Sequence, residues 1–431
     1  MTLHHAALAG LSAAFLLTAC RKDKDDTPPT VVILEPVAGT TISIPDTVAV
    51  RVQVSDAHAV RSLTVELTDA ANATVASAGT LTLDGTGGTY TFSLLLTDER
   101  LPGGTCTIAA RASDGRNDGR GFREVNILPA PLRLRAVFLA PPFSGSGTTI
   151  TRIDSLGQLS TFATVQDFNG IAVDSYTQHL FVAGSQYAPF QAFPTSSAAG
   201  AWQVSPPAND QPEQFTAVTV DPRDRHVYFA TRDGFIRGFT GQGVQQFTAQ
   251  CLPGHRCEAI ATVQNAVATW QRAIVGGASR MVTYTVAGTV LEQLPVQHER
   301  IAMFHLTGTS LVHFANEDGT GLIEDLNISL GATPDIHTFT GESIRAAIRI
   351  DANTFVVALT NRLVRFDRPA RSITEIASGV TADALAYEPA NGALYIAQEG
   401  TLFSMDPTSG TIVSSLATGS PIGHILPLLN R

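Results

Sequence analysis

One short pattern recurs through the larger, C-terminal part of this chain, and it restricts the possible folds more than any other feature. Its clearest copy is FTAVTVDPRDRHVYFATRDGFIRGF, Phe215–Phe239. Within it AVTV (Ala217–Val220), HVYFAT (His226–Thr231) and FIRGF (Phe235–Phe239) are rich in β-branched and aromatic residues. DPRDR and RDG separate them with turn-forming Asp, Pro and Gly. VQQFTA (Val244–Ala249) supplies a fourth strand. First strands of the same kind open at Gly170, Ala217, Ala259, Ile301, Ala346 and Ala384. Their equivalent alanines (Ala172, Ala217, Ala259, Ala302, Ala347 and Ala386) stand 39–45 residues apart. Four strands per copy at a period of about 40–45 is the signature of a β-propeller. Solenoids of similar period are mostly helical, and helical periodicity is hard to find here.

The blade count follows from the ends of the repeat. Six full copies begin between Gly170 and Ala384. IGHILPLLN (Ile422–Asn430) is then a first strand with no followers. RAVFLAPP (Arg135–Pro142), TTITRIDS (Thr148–Ser155) and LSTFATV (Leu159–Val165) are three strands with no leader. Joining them gives a seventh blade, and the closing ladder removes two exposed sheet edges. The expectation is a seven-bladed propeller over residues 134–431.

Residues 30–130 show a different pattern. In TVAVRVQVSD, Val48, Val50, Val52 and Val54 share one face, and in SLTVELTD so do Leu63, Val65 and Leu67. About seven short strands in such a length argue for a β-sandwich. Prolines in PAPLR (Pro129–Arg133) mark the boundary. The whole chain therefore reads as all-β. Only 15% of its residues are charged, and 36 Gly and 23 Pro supply turns. A net charge of −10 disfavours nucleic acid as a partner.

The N-terminus carries an address. The apolar run Ala6–Ala19 is too short to cross a bilayer and has the length of a signal-peptide core. Leu17-Thr18-Ala19-Cys20 resembles the lipobox of bacterial lipoproteins. The resemblance implies a signal peptide over 1–19, lipidation of Cys20 and a membrane partner through that anchor. The n-region MTLHH departs from the pattern in having neither Lys nor Arg. Residues 20–29 form a charged, Pro-containing tether, and RKDKDD (Arg21–Asp26) resembles the export signal of Gram-negative surface lipoproteins. That implies the outer membrane, facing the cell exterior, with the periplasmic face as the alternative.

Two further resemblances follow from residues. PPTVVILEP, VSDAHAVRSLTVEL and LPGGTCTIAARASDG resemble bacterial immunoglobulin-like modules, except that Cys106 stands where a Tyr is usual. VDPRDRHVYFA and YEPANGALYIA resemble the broad NHL-like and gluconolactonase-like propeller group. That pattern marks a blade's first turn.

Candidate chemistry is sparse. Cys251 and Cys257 flank a Pro-Gly turn in CLPGHRC, and in an exported chain this spacing favours a local disulfide. A metal site with His255 is the rival reading. GSGTT (Gly145–Thr149) lacks the elbow that activates a serine. His179, His226, His298, His305, His313, His337 and His424 are scattered, with His305 and His424 near the expected channel. Gluconolactonase-like propellers hold a divalent metal with Glu, Asn and Asp around the channel, and no corresponding pattern is found. Asp174, Asp221, Asp351 and Glu388 close first strands and are expected to serve turns. No catalytic, cofactor-binding or metal-binding residue is therefore assigned, and no cofactor is expected. The leading reading is a non-catalytic propeller that binds a glycan, peptide or protein, with specificity in loops such as Gln186–Trp202. The alternatives are a lactonase- or lyase-like enzyme with a channel site, and a structural subunit of an envelope complex.

Overall fold

A computed structural model describes residues 26–207 and 213–431. Cys20, the signal segment and most of the tether lie outside the described residues. The chain divides into two compact units between Ala130 and Pro131. Among the described residues every regular element is a strand.

Among the described residues the first unit has six strands: β1 (Thr30–Glu35), β2 (Thr40–Ser43), β3 (Asp46–Thr68), β4 (Thr74–Leu96), β5 (Gly104–Ser113) and β6 (Asp118–Leu128). They run in the order β1-β3-β5-β6-β2, with β4 also on β3. The expectation of about seven short strands is corrected here. TVAVRVQVSD and SLTVELTD fuse into β3, and β4 runs beside it for an equal 23 residues. The cause is a pair of register shifts between Ser55 and Ser62 that let the ladder continue through residues 56–61. β1 pairs with the first half of β3 and β5 with its second half. The alternating faces remain as read: Val50, Val52, Val54, Leu63, Val65 and Leu67 are buried in one core. Cys106 joins that core as a buried thiol. Asp114 accepts the backbone N–H of Asn117 at 2.7 Å, as a hairpin-turn residue does.

Among its described residues the second unit contains seven four-stranded antiparallel sheets. Blades 1 to 6 open on the inner strands Gly170–Asp174, Phe215–Val220, His255–Val263, Glu299–His305, Ile344–Arg349 and Ala384–Glu388. Blade 7 joins the C-terminal His424–Leu429 to Leu134–Ala140, Thr148–Asp154 and Leu159–Val165. Its ladder pairs His424 with Ala140 and Leu428 with Ala136, so the expected closure is present.

The core explains why the repeat must close. It consists of seven apolar clusters, each shared by two adjacent blades around the ring. Second strands are therefore covered on both faces, and VYFAT (Val227–Thr231) is buried at every residue. This accounts for their continuous apolar runs in the sequence. The cluster between blades 1 and 2 stacks Phe190 on Phe229 with ring centroids 4.3 Å apart. An open array would leave two of these faces bare.

Candidate functional site

Inner strands begin at one end of the ring, and blades 2, 3, 4 and 5 share a local irregularity there. Each has a register shift in its first residues: Phe215/Ala217, Cys257/Ala259, Arg300/Ala302 and Ile344/Ala346. The extra residues are Thr216, Glu258, Ile301 and Arg345. A bulge leaves its added residue out of the ladder and re-aims the side chain. Here Thr216, Glu258 and Ile301 line a cavity of about 440 Å³ with Asn169, Arg300, Met303 and His424. An adjoining cavity of about 740 Å³ shares Asn169, Ile301 and His424 and adds Phe143, Arg345 and Asp383. Both volumes lie in the range of ordinary small-molecule sites. Together they form the mouth of the channel.

A bulge also frees backbone carbonyls, and a freed carbonyl needs a donor. Side chains of the preceding blade provide several. Asn169 Nδ2 donates to the Phe215 carbonyl, and the Thr216 hydroxyl donates to that of Cys257. Asn316 Nδ2 donates to the Ile344 carbonyl at 2.8 Å, and at blade 6, whose inner strand has no bulge, Arg345 Nε donates to the Ala382 carbonyl at 3.1 Å. The mouth is thus built as a belt of blade-to-blade hydrogen bonds. Arg345 Nη2 also reaches Asp383 Oδ1 at 3.0 Å. Glu258 is held by Arg256 at 2.8 Å and Arg272 at 2.9 Å.

Arg300 is the cation with spare capacity. Its one hydrogen bond among the described residues runs from Nη1 to the Ile301 carbonyl at 3.2 Å. Burial pushes its pKa down, and the nearby Glu258 carboxylate partly restores it. It stays charged at neutral pH, since a guanidinium starts far above it. His424 lines the same wall, with the Phe168 ring edge-on at 5.5 Å. Burial pushes its imidazole down to about 4. It is a neutral group at neutral pH.

The loops that follow second strands emerge beside the mouth, because those strands run antiparallel to the inner ones. In blade 1 this is the start of the stretch Gln186–Trp202 that was expected to be a specificity loop; the expectation is corrected here, because Phe190–Pro194 is the blade's third strand and Trp202 opens its fourth. Asp167, fully buried, accepts backbone N–H groups from Tyr187 at 2.6 Å and Ala188 at 3.2 Å. That carboxylate shapes the loop and leaves the Tyr187 ring exposed. Phe143, 52% exposed, is a second aromatic at the mouth.

The other residues singled out in the sequence take structural roles. Asp174, Asp221, Asp351 and Glu388 accept backbone N–H groups within the first turn, at the far end of the ring. His305 Nε2 lies 3.0 Å from the Gly308 carbonyl in a local turn. The Gly145–Thr149 loop is fixed by the Ser144–Phe168 bridge, and the Thr148 hydroxyl donates to the Ser146 carbonyl. Cys251 and Cys257 lie buried in one core cluster, as free thiols in this structure. Cys257 Sγ donates to the Ala259 carbonyl at 3.3 Å, and burial pushes the Cys251 thiol up to about 12. Sequence reading missed the bulge residues. The signal was present: Thr216, Glu258, Ile301 and Arg345 each directly precede an alanine of the inner strand, Ala217, Ala259, Ala302 and Ala346.

Comparison with known proteins adds the following. Residues 29–110 match the family profile of a bacterial Ig domain. No curated protein sequence matches the chain. Among solved structures, BamB from Moraxella catarrhalis is similar at 13% identity and a TM-score of 0.38, covering 57% of this chain and 75% of its own. Sqt1 from Saccharomyces cerevisiae is similar at 13% identity and a TM-score of 0.47, covering 68% of this chain and 88% of its own. The propeller assignment rests on the seven closed sheets themselves. The chain thus carries a module similar to bacterial Ig domains, followed by a seven-bladed β-propeller.

Proposed function

We propose that this chain is a lipid-anchored, surface-displayed binding protein whose propeller mouth takes an acidic glycan or an acidic peptide segment of a partner. The row of bulges in blades 2 to 5 carries this reading, because it lines one mouth with Thr216, Glu258, Ile301 and Arg345. Arg300, with most of its donors free, suits a carboxylate or phosphate. Phe143 and Tyr187 offer flat apolar faces for a sugar ring or an aromatic side chain. The same geometry argues against hydrolysis. The Thr216 hydroxyl is committed to a carbonyl and Glu258 to two arginines, so neither is set up as nucleophile or base.

The binding test is an array of glycans and peptides probed with the full chain. Acidic ligands should be retained, and Arg300→Ala should weaken them about tenfold or more, as expected for one charge-assisted hydrogen bond. Arg345→Ala should weaken them less, since Asp383 already neutralises Arg345. If both variants bind like the parent, the mouth is not the site.

Anchoring is tested separately. Lipidation of Cys20 would hold the chain on the membrane through acyl chains worth about 0.8 kcal/mol per buried CH₂. Cys20→Ser should move the protein from the membrane pellet to the soluble fraction. Sedimentation like the parent would place the anchor elsewhere. In the exported state we also assign a Cys251–Cys257 cross-link, supported by the Leu252–His255 turn that brings the strand ends together.

A further inference from the structure

Blade 4 contains a polar cluster that the mouth does not use. Glu324 lies on its third strand, Thr320–Asn327, and faces Asp335 on its fourth, Asp335–Phe339. His298 lies on the link that brings the chain in from blade 3. One ligand atom from each of His298, Glu324 and Asp335 falls within 4.8 Å of the others.

The buried side of this cluster is incompletely paired. Glu324 is 2% exposed. His313, fully buried, holds one of its oxygens: Nδ1 donates to Oε2 at 2.7 Å. The other oxygen, Oε1, lies 3.1 Å from His298 Nδ1. His298 Nδ1 is a buried atom, and Glu324 Oε1 is the group it meets. His298 Nδ1 and Glu324 Oε1 stand at the separation that two ligands of one ion take. At metal–ligand distances of about 2.0–2.1 Å, a tetrahedral edge is about 3.3 Å.

The surroundings complete the pattern. Glu317 Oε2 lies 3.5 Å from His298 Nε2, the ring nitrogen that faces away from Glu324. A ligating histidine characteristically has a carboxylate on its second nitrogen, and a ligating carboxylate is itself hydrogen-bonded. Glu317 and His313 fill those two positions. Asp335 is exposed, so an ion has a path from solvent.

We propose that His298 Nδ1, Glu324 Oε1 and the Asp335 carboxylate bind one zinc ion, with water in the fourth position. The imidazole ligand and the small coordination number favour a first-row divalent ion over calcium or magnesium, which take oxygen ligands. The ion would tie the blade 3–blade 4 link to the outer strands of blade 4.

The test uses the full chain, stripped with a chelator and titrated with zinc against a chromophoric competitor. One equivalent should bind, and excess calcium should not displace it. His298→Ala and Asp335→Asn should each weaken zinc at least tenfold. Asp335 is exposed, so its variant should fold like the parent, which circular dichroism checks. Cobalt(II) should give the visible spectrum of a tetrahedral centre, and His298→Ala should abolish it. Lack of saturable zinc binding, or unchanged affinity in both His298→Ala and Asp335→Asn, would each overturn the assignment.

Discussion

Deleting residues 421–431 should abolish the cooperative unfolding of the propeller and leave the Ig-like unit melting on its own. The segment supplies the inner strand of blade 7, whose ladder closes the ring. Ile422, Ile425 and Leu428 are buried in the two clusters that flank blade 7. Each such side chain contributes about 1.5–3 kcal/mol. Their loss alone takes a large share of a typical stability of about 5–15 kcal/mol. Polar latches go with them. Asn430 accepts from the Arg133 N–H at 2.9 Å and donates to the Pro131 carbonyl at 3.1 Å. Gln178 Nε2 donates to the Leu429 carbonyl at 2.7 Å, tying blade 7 to the first turn of blade 1. Calorimetry of parent and truncated chains checks this. A truncated chain that keeps the parental transition would show that closure does not hold the ring. Asn430→Ala should give a graded version, about 1–3 kcal/mol, because it removes both of these Asn430 bonds, each worth about 0.5–1.5 kcal/mol.

Acid should destabilise the propeller well above the carboxylate range, and His424 should account for much of it. Burial alone lowers this imidazole to about 4. The charged groups around the same cavities, Glu258, Arg300, Arg345 and Asp383, include both signs. In the unfolded chain the ring takes a proton near pH 6.5. Between those two values the unfolded state holds a proton that the folded state refuses. Stability therefore falls as pH falls, by up to about 1.4 kcal/mol per pH unit, and by roughly 3 kcal/mol at pH 4. His305, which burial also lowers despite the Gly308 carbonyl, adds to the same trend. Urea unfolding between pH 7 and pH 4 measures it. His424→Gln should flatten the dependence. A stability curve level from pH 7 to pH 4.5 in the parent would contradict the buried neutral state.

Most of the architecture was legible because it is local. Turn chemistry such as Asp221-Pro222 and the buried runs such as VYFAT recur at a fixed period, and the period names the repeat. Even closure was legible, since one strand without followers and three without a leader have to meet. The fusion within β3 was not legible. Residues 56–61, DAHAVR, carry the polarity of a turn, yet the ladder absorbs them through register shifts. Whether a chain turns or bulges depends on the partner strand, and that is not written in the segment itself.

The sequence alone therefore determined the class of the chain, its two kinds of β-module, and the number and closure of the blades. These follow from side-chain alternation, turn residues and repeat length, which act over a few residues at a time. Only the tertiary structure decided the candidate sites. Thr216, Glu258, Ile301 and Arg345 meet at one mouth because four separate blades bulge at the same level. His298, Glu324 and Asp335 converge because cross-strand register and the entry of the chain into blade 4 bring them together. Register and blade packing are set by contacts between residues far apart in the chain, and no local pattern encodes them.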